Sequence, residues 1–98
     1  TAPARTQKGK GAMILVEIFS TPDCGKCAQA REALKAVVAG LEAVICREVN
    51  ILDELDYAVD LGVLSPPAIA IDGELVFPTL PGAERLRQEL MQRGARAL

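Results

Sequence analysis

Two cysteines spaced three positions apart, Cys24 and Cys27, stand where a β-type run gives way to a helical pattern. That junction constrains the rest of the chain. On its N-terminal side, Met13-Ile14-Leu15-Val16-Glu17-Ile18-Phe19 is almost continuously apolar and rich in β-forming residues, the pattern of a strand covered on both faces. On its C-terminal side, Cys27, Ala30, Leu34, Val37, Val38 and Leu41 recur at three- and four-residue steps and mark one face of a helix. Between them lies Ser20-Thr21-Pro22-Asp23, where Pro22 ends the strand ladder and Ser, Thr and Asp can cap a helix. Cys24 therefore falls at the mouth of the helix and Cys27 one turn inside it. Across one turn the two Cα atoms come within the roughly 4.4 to 6.8 Å that a disulfide requires, so the pair can open and close without displacing the fold.

Residues 1–12 (TAPARTQKGKGA) are polar, basic and aperiodic, and are expected to form a flexible leader outside the fold. Two origins stay open: a cloning remnant ahead of a natural start at Met13, or a natural linker. The helix after the cysteines is expected to reach about Val38 and stop near Gly40, with a strand over residues 43–49. That makes a βαβ unit with parallel strands and a right-handed crossover. A short acidic helix follows, with Leu55, Ala58, Val59 and Leu61 as its apolar side, Asp53 as its cap and Gly62 as a left-handed end. Consecutive prolines, Pro66 and Pro67, remove two backbone donors, so the next strand (68–71) begins after them. Asp72-Gly73 is a two-residue hairpin signal returning the chain through residues 74–77, where Pro78 ends the strand. A last helix is expected from Gly82 or Ala83 to Arg93, with Leu86, Leu90 and Met91 inward and Gly94 as its stop. No repeat and no second domain are visible, so residues 13–98 form one domain of the α/β class in the order βαβαββα.

Ninety-eight residues, half of them hydrophobic, suit one core that folds alone. A net charge of -2 and three aromatic residues (Phe19, Tyr57, Phe77) argue against a nucleic-acid partner. No apolar run approaches the roughly 20 residues needed to cross a bilayer, and the N-terminus lacks an apolar signal region. The expectation is a soluble, cytoplasmic protein with no membrane partner. Three cysteines suggest one working pair and a spare. The spare, Cys46, reads as a small buried hydrophobe with an inert thiol. The chain has no histidine, which excludes histidine acid–base chemistry and histidine metal ligands. CxxC spacing also forms half of many zinc sites, but zinc here would have to recruit Cys46 and a carboxylate, or pair two chains. No metal site is expected.

The order strand, CxxC, helix, strand, helix, proline loop, hairpin, helix resembles the thioredoxin fold in its minimal form, a four-stranded mixed sheet flanked by helices. The resemblance covers residue 13 to about residue 93 and is closest to the small thioredoxin-like and glutaredoxin-like redox proteins. It implies a thiol-disulfide oxidoreductase that reduces protein or small-molecule disulfides, acts as a monomer and uses no metal or organic cofactor. Disulfide-containing proteins would be its substrates and a thioredoxin-reductase-like protein its electron donor. It implies that Pro67 is cis and faces the disulfide, and that Ser65, Pro66 and Pro67 contact substrate. Cys24, favoured as thiolate by the helix N-terminus, would attack the substrate disulfide, and Cys27 would resolve the mixed disulfide. Lys26 adds a cation to that environment and Asp23 an opposing anion. The alternatives are a thioredoxin-fold binding module whose CxxC holds a metal or a partner without turnover, and a purely structural staple.

Departures from the family pattern narrow what carries over. Asp23 stands where thioredoxins place an aromatic residue, and Gly25-Lys26 stands where they usually have Gly-Pro, so the redox potential is open within roughly 150 mV. Thioredoxins bury a carboxylate beneath the disulfide. Glu17, the only acid in the first strand, is either that group or a solvent-facing glutamate. Gly82-Ala83-Glu84 keeps the glycine of a glutathione site but lacks the adjacent acidic pair. Pro66 occupies a position whose backbone pairs with substrate peptide in the family. It can accept a hydrogen bond but not donate one, which implies weaker or narrower binding of extended peptides.

Overall fold

The apolar run before the cysteines forms one of the two inner strands of a four-stranded sheet. The computed structural model describes residues 13–97, and the leader expected over residues 1–12 lies outside the described residues. In chain order the elements are β1 (Ile14–Ser20), α1 (Gly25–Ala39), β2 (Leu41–Glu42), β3 (Val44–Asn50) and α2 (Leu55–Leu61). They continue as β4 (Ala68–Ile71), β5 (Glu74–Phe77), α3 (Ala83–Gln92) and β6 (Arg96–Ala97). The sheet order is β3-β1-β4-β5, with β1 parallel to β3, antiparallel to β4, and β4 antiparallel to β5. Because β1 has a strand on each side and helices over both faces, every residue in it is buried except the half-buried Leu15. This is the mixed four-stranded sheet with three helices expected from the sequence.

Strand alternation divides the interior in two. Ile14, Val16 and Ile18 pack with Ile69 and Ile71 against Leu34 and Val37 of α1 and Leu86 and Leu90 of α3. Phe19 points the other way, into a smaller cluster with Val49, Ala58, Ala68 and Ala70 beneath α2. The Phe19 and Tyr57 rings meet there at 5.6 Å between centroids. The Asp72-Gly73 turn has positive φ at both residues (52° and 82°), the conformation a tight hairpin needs.

Several sequence expectations are corrected. The N-cap of α2 is Glu54, not Asp53, and it makes no side-chain cap bond. Its expected apolar side is out of phase: Ala58 is buried, but Leu55 and Val59 are 55% and 64% exposed. A seven-residue helix holds only about two turns, and this one is oriented by Tyr57 reaching the sheet. Its end is as expected, with Gly62 left-handed at φ 90°. Met91 is exposed, since Leu86 and Leu90, four apart, already fill the face of α3 that meets the core. Cys46 is exposed rather than buried, because β3 is an edge strand. Partial desolvation still pushes its thiol pKa up, which disfavours the reactive thiolate. The short antiparallel pair β2 and β6 was not expected; two-residue strands are too short to leave a periodic signal. Ala43, at φ 69°, turns the chain from β2 into β3.

Candidate active site

Three segments meet at one end of the sheet. In the antiparallel register Phe19 pairs with Ala68, so the proline loop before β4 arrives level with the segment that leads from β1 to the cysteines. The Pro66-Pro67 peptide bond is cis and Pro67 is buried. Cys24 is the N-cap of α1, with extended backbone (φ -87°, ψ 105°), held by its N–H donating to the Thr21 carbonyl at 3.2 Å. Cys27 lies one turn inside, and the two form a disulfide with Cα atoms 5.3 Å apart. Cys24 is partly exposed, while Cys27 is 1% exposed. One cysteine is open to solvent and the other is shielded from it.

Helix α1 runs fifteen residues with no acidic side chain in its first turn, so the positive end of its dipole meets Cys24 without a carboxylate inside the helix to offset it. Asp23, just outside the helix, and Lys26, inside its first turn, are both exposed. A groove of about 400 Å³ brings Lys26 together with Ser65, Pro66, Pro67 and Leu80. The predicted substrate loop and one of the two predicted tuning charges therefore share a surface. Asp23 lines neither this groove nor the cavity described next.

That second cavity, about 310 Å³, is lined by Cys24 with Ser20, Thr21, Arg31, Glu48 and Asn50. Arg31 Nε and Nη2 donate to the two oxygens of Glu48 at 2.9 and 2.7 Å, and the Ser20 hydroxyl donates to Oε2 at 2.8 Å. These bonds, Arg31's foremost, hold the Glu48 carboxyl below its usual range.

Glu17 is buried, at 2% exposure, so it is not a solvent-facing glutamate, and neither is it a carboxylate beneath the disulfide, because α1 covers the opposite face of the sheet. It lies on the α2 face of the sheet, where it accepts from the Tyr57 hydroxyl and pairs with Arg47 Nε at 3.1 Å. Arg47 continues to Glu54 at 3.1 Å. Burial first, then the bond to Glu17, pushes the Tyr57 pKa up to about 12. Neither Arg31 with Glu48 nor Tyr57 with Arg47 is singled out by the sequence. Arg31 is seven residues beyond Cys24, two helical turns along, and that spacing is the one sequence signal that could have placed it near the site.

A partly exposed and a buried cysteine at the N-terminus of a helix whose Lys26 shares a groove with a cis-proline loop is the layout of a thioredoxin-fold domain. A sequence model described as "Thioredoxin domain" matches residues 14–91, and the chain belongs to that family. A probable thioredoxin of Methanothermobacter marburgensis is 29% identical over 75 residues, 76% of this chain and 88% of that protein. A thioredoxin of Methanocaldococcus jannaschii is 26% identical over 81 residues, 82% of this chain and 95% of that protein. Among solved structures, a mutant thioredoxin from Halobacterium salinarum superposes with TM-score 0.70 at 15% identity, covering 89% of this chain and 80% of its own. HBP35 of Porphyromonas gingivalis gives 0.71 at 15% identity over 84% of this chain, which spans only 32% of that longer protein. These two likenesses show the fold, and the sequence relatives together with the CxxC pair support thiol-disulfide redox chemistry in general.

Proposed function

We propose that this protein is a thiol-disulfide oxidoreductase that reduces protein or small-molecule disulfides through Cys24 and Cys27. The observation that supports it most is the asymmetry of the pair, with Cys24 open at the N-cap of a fifteen-residue helix and Cys27 closed beneath it. The N-terminal N–H groups favour a thiolate at Cys24. That thiolate attacks a substrate sulfur, a mixed disulfide forms, and the first substrate thiolate leaves and takes up a proton. Cys27 then attacks Cys24 Sγ, expels the second substrate thiolate and regenerates the protein disulfide. A thioredoxin-reductase-like donor in the cytoplasm would return two electrons to the pair. Ser65, Pro66 and Pro67 contact the substrate, and Asp23 and Lys26 adjust the charge at the sulfurs. Pro66 can only accept from a bound peptide, which favours compact over extended substrates.

The test is insulin reduction with dithiothreitol as electron source, alongside metal analysis. Cys24→Ser should abolish turnover, and Cys27→Ser should accumulate a mixed disulfide with substrate that is visible by mass spectrometry. Stoichiometric zinc in the purified chain, or turnover that survives Cys24→Ser, would overturn the reading.

A further inference from the structure

A polar cavity opens beside Cys24 between α1 and the ends of β1 and β3. Its chemistry is specific. Ser20 is buried, lines the cavity and donates its proton to Glu48 Oε2, so its oxygen keeps the capacity to accept. Glu48 Oε1 accepts a single bond, from Arg31 Nε, and retains a further lone pair. Arg31 uses Nε and Nη2 on Glu48, and among the described residues Nη1 has no partner. The cavity therefore offers a cationic donor and anionic acceptors side by side, fixed to each other by a bidentate ion pair. A neutral pair of opposite charges is complementary to a ligand carrying both charges on one carbon, as an α-amino acid does. Its volume, about 310 Å³, is at the small end of small-molecule sites, which suits one half of a low-molecular-weight disulfide.

We infer that this cavity is a subsite for the zwitterionic amino-acid head of a cystine-type disulfide. The α-carboxylate meets Arg31 Nη1, the α-ammonium meets Glu48 Oε1 and the Ser20 oxygen, and the adjoining sulfur is presented to Cys24. The inference rests on the oxidoreductase reading and names its substrate class. Cys24 thiolate and one cystine sulfur form a mixed disulfide as the cystine S–S bond breaks and one cysteine leaves. Cys27 thiolate then displaces the second cysteine, so one cystine is reduced to two cysteines while the protein dithiol is oxidised to its disulfide. In repeated turnover a dithiol such as dithiothreitol restores the reduced form.

The experiment is single-turnover oxidation of the reduced chain by cystine, cystamine or dithiodipropionate. Each rate is divided by that disulfide's rate with dithiothreitol, which removes its intrinsic reactivity. Cystamine lacks the carboxylate and dithiodipropionate lacks the ammonium. Cystine should exceed each of them by about tenfold, as expected for one hydrogen-bonded charge gained. Arg31→Gln should cut the cystine-to-cystamine ratio about tenfold, and Arg31→Lys, which keeps the charge, should restore part of it. Glu48→Gln should cut the cystine-to-dithiodipropionate ratio. A merely structural role moves all three disulfides together and leaves these ratios unchanged. Equal normalised rates, or ratios unmoved in both variants, overturn the subsite while leaving the redox reading intact. If none of the three disulfides oxidises the Cys24-Cys27 pair, the redox reading itself falls and the subsite with it.

Discussion

The sheet face under α1 and α3 buries Ile14, Val16, Ile18, Ile69 and Ile71 against aliphatic helix residues, whereas the face under α2 buries the carboxylate of Glu17 near small alanines and two rings. The first face is held by apolar area and close packing, which depend little on which aliphatic residue supplies the atoms. The second depends on particular partners. Glu17 stays buried because Tyr57 donates to it and Arg47 neutralises it, and a buried carboxylate short of a partner is costly. The cysteine helix sits on the first face, so the CxxC pair is carried by the apolar side of the fold, with the half-exposed Arg31–Glu48 pair at its margin, while the buried Glu17–Tyr57–Arg47 network lies across the sheet.

The largest effect that would sharpen this contrast is a cavity in the aliphatic face. Leu90, fully buried on α3, touches the core that α1 also covers. Leu90→Ala should cost about 2 to 5 kcal/mol, read as a lower urea midpoint at unchanged slope. Leu90→Met should cost less than about 1.5 kcal/mol, since it conserves volume. A comparable loss in both variants would mean that this face is as shape-specific as the other, and the contrast would fail.

A middle-sized effect is expected across the sheet. Tyr57→Phe removes one donor from Glu17 and leaves the tilted ring contact with Phe19, and should cost about 1 to 3 kcal/mol, more than a hydroxyl deletion on an exposed tyrosine. Glu17→Leu combined with Tyr57→Phe replaces both polar partners with apolar groups. Its loss should be smaller than the sum of the two single losses, a coupling of about 0.5 to 3 kcal/mol. Additive losses would show that the Glu17–Tyr57 bond contributes nothing beyond its separate groups.

The same division explains what the sequence made legible. Apolar periodicity located β1, α1 and α3, because those elements face a core that asks only for hydrophobicity at the right spacing. Turn chemistry located the Asp72-Gly73 hairpin and the left-handed end at Gly62, because few residues tolerate those backbone angles. The CxxC spacing and the two prolines located the cysteine pair and the loop beside it. Polar pairings left no comparable trace. Tyr57 is forty residues from Glu17, and Arg31 is seventeen from Glu48, so each contact exists only once the sheet has formed. The phase of α2 is not legible in its apolar residues for this reason, since a polar contact made by Tyr57, and not an apolar stripe, sets its rotation. The exposure of Cys46 is likewise not legible locally, because strand order, which puts β3 at an edge, is a property of the assembled sheet.

The smallest effect separates the faces by pH. The Glu48 carboxyl, on the α1 side, is held below its ordinary range chiefly by Arg31 and then by Ser20. A carboxyl with a lowered folded pKa stabilises the fold above its unfolded value, about 4.3, and that contribution is lost as pH falls through the folded value. Tyr57, on the α2 side, is the opposite case. Its folded pKa near 12 lies above the ordinary value of 10, so the folded state holds its proton more tightly than the unfolded chain does. Its contribution is complete below pH 10 and disappears as the pH rises toward about 12. Melting temperature followed from acid to alkali should therefore fall at both ends. Tyr57→Phe should flatten the alkaline limb and leave the acid limb, whereas Glu48→Gln should flatten only part of the acid limb, because Glu89, lowered by Arg93, contributes there too. The Glu48 change should be the slighter of the two, since its ion pair with Arg31 stands in solvent at 37% and 40% side-chain exposure and water screens most of it. If each variant altered both limbs alike, the two networks would be acting as one through the sheet, and the separation between its faces would not hold.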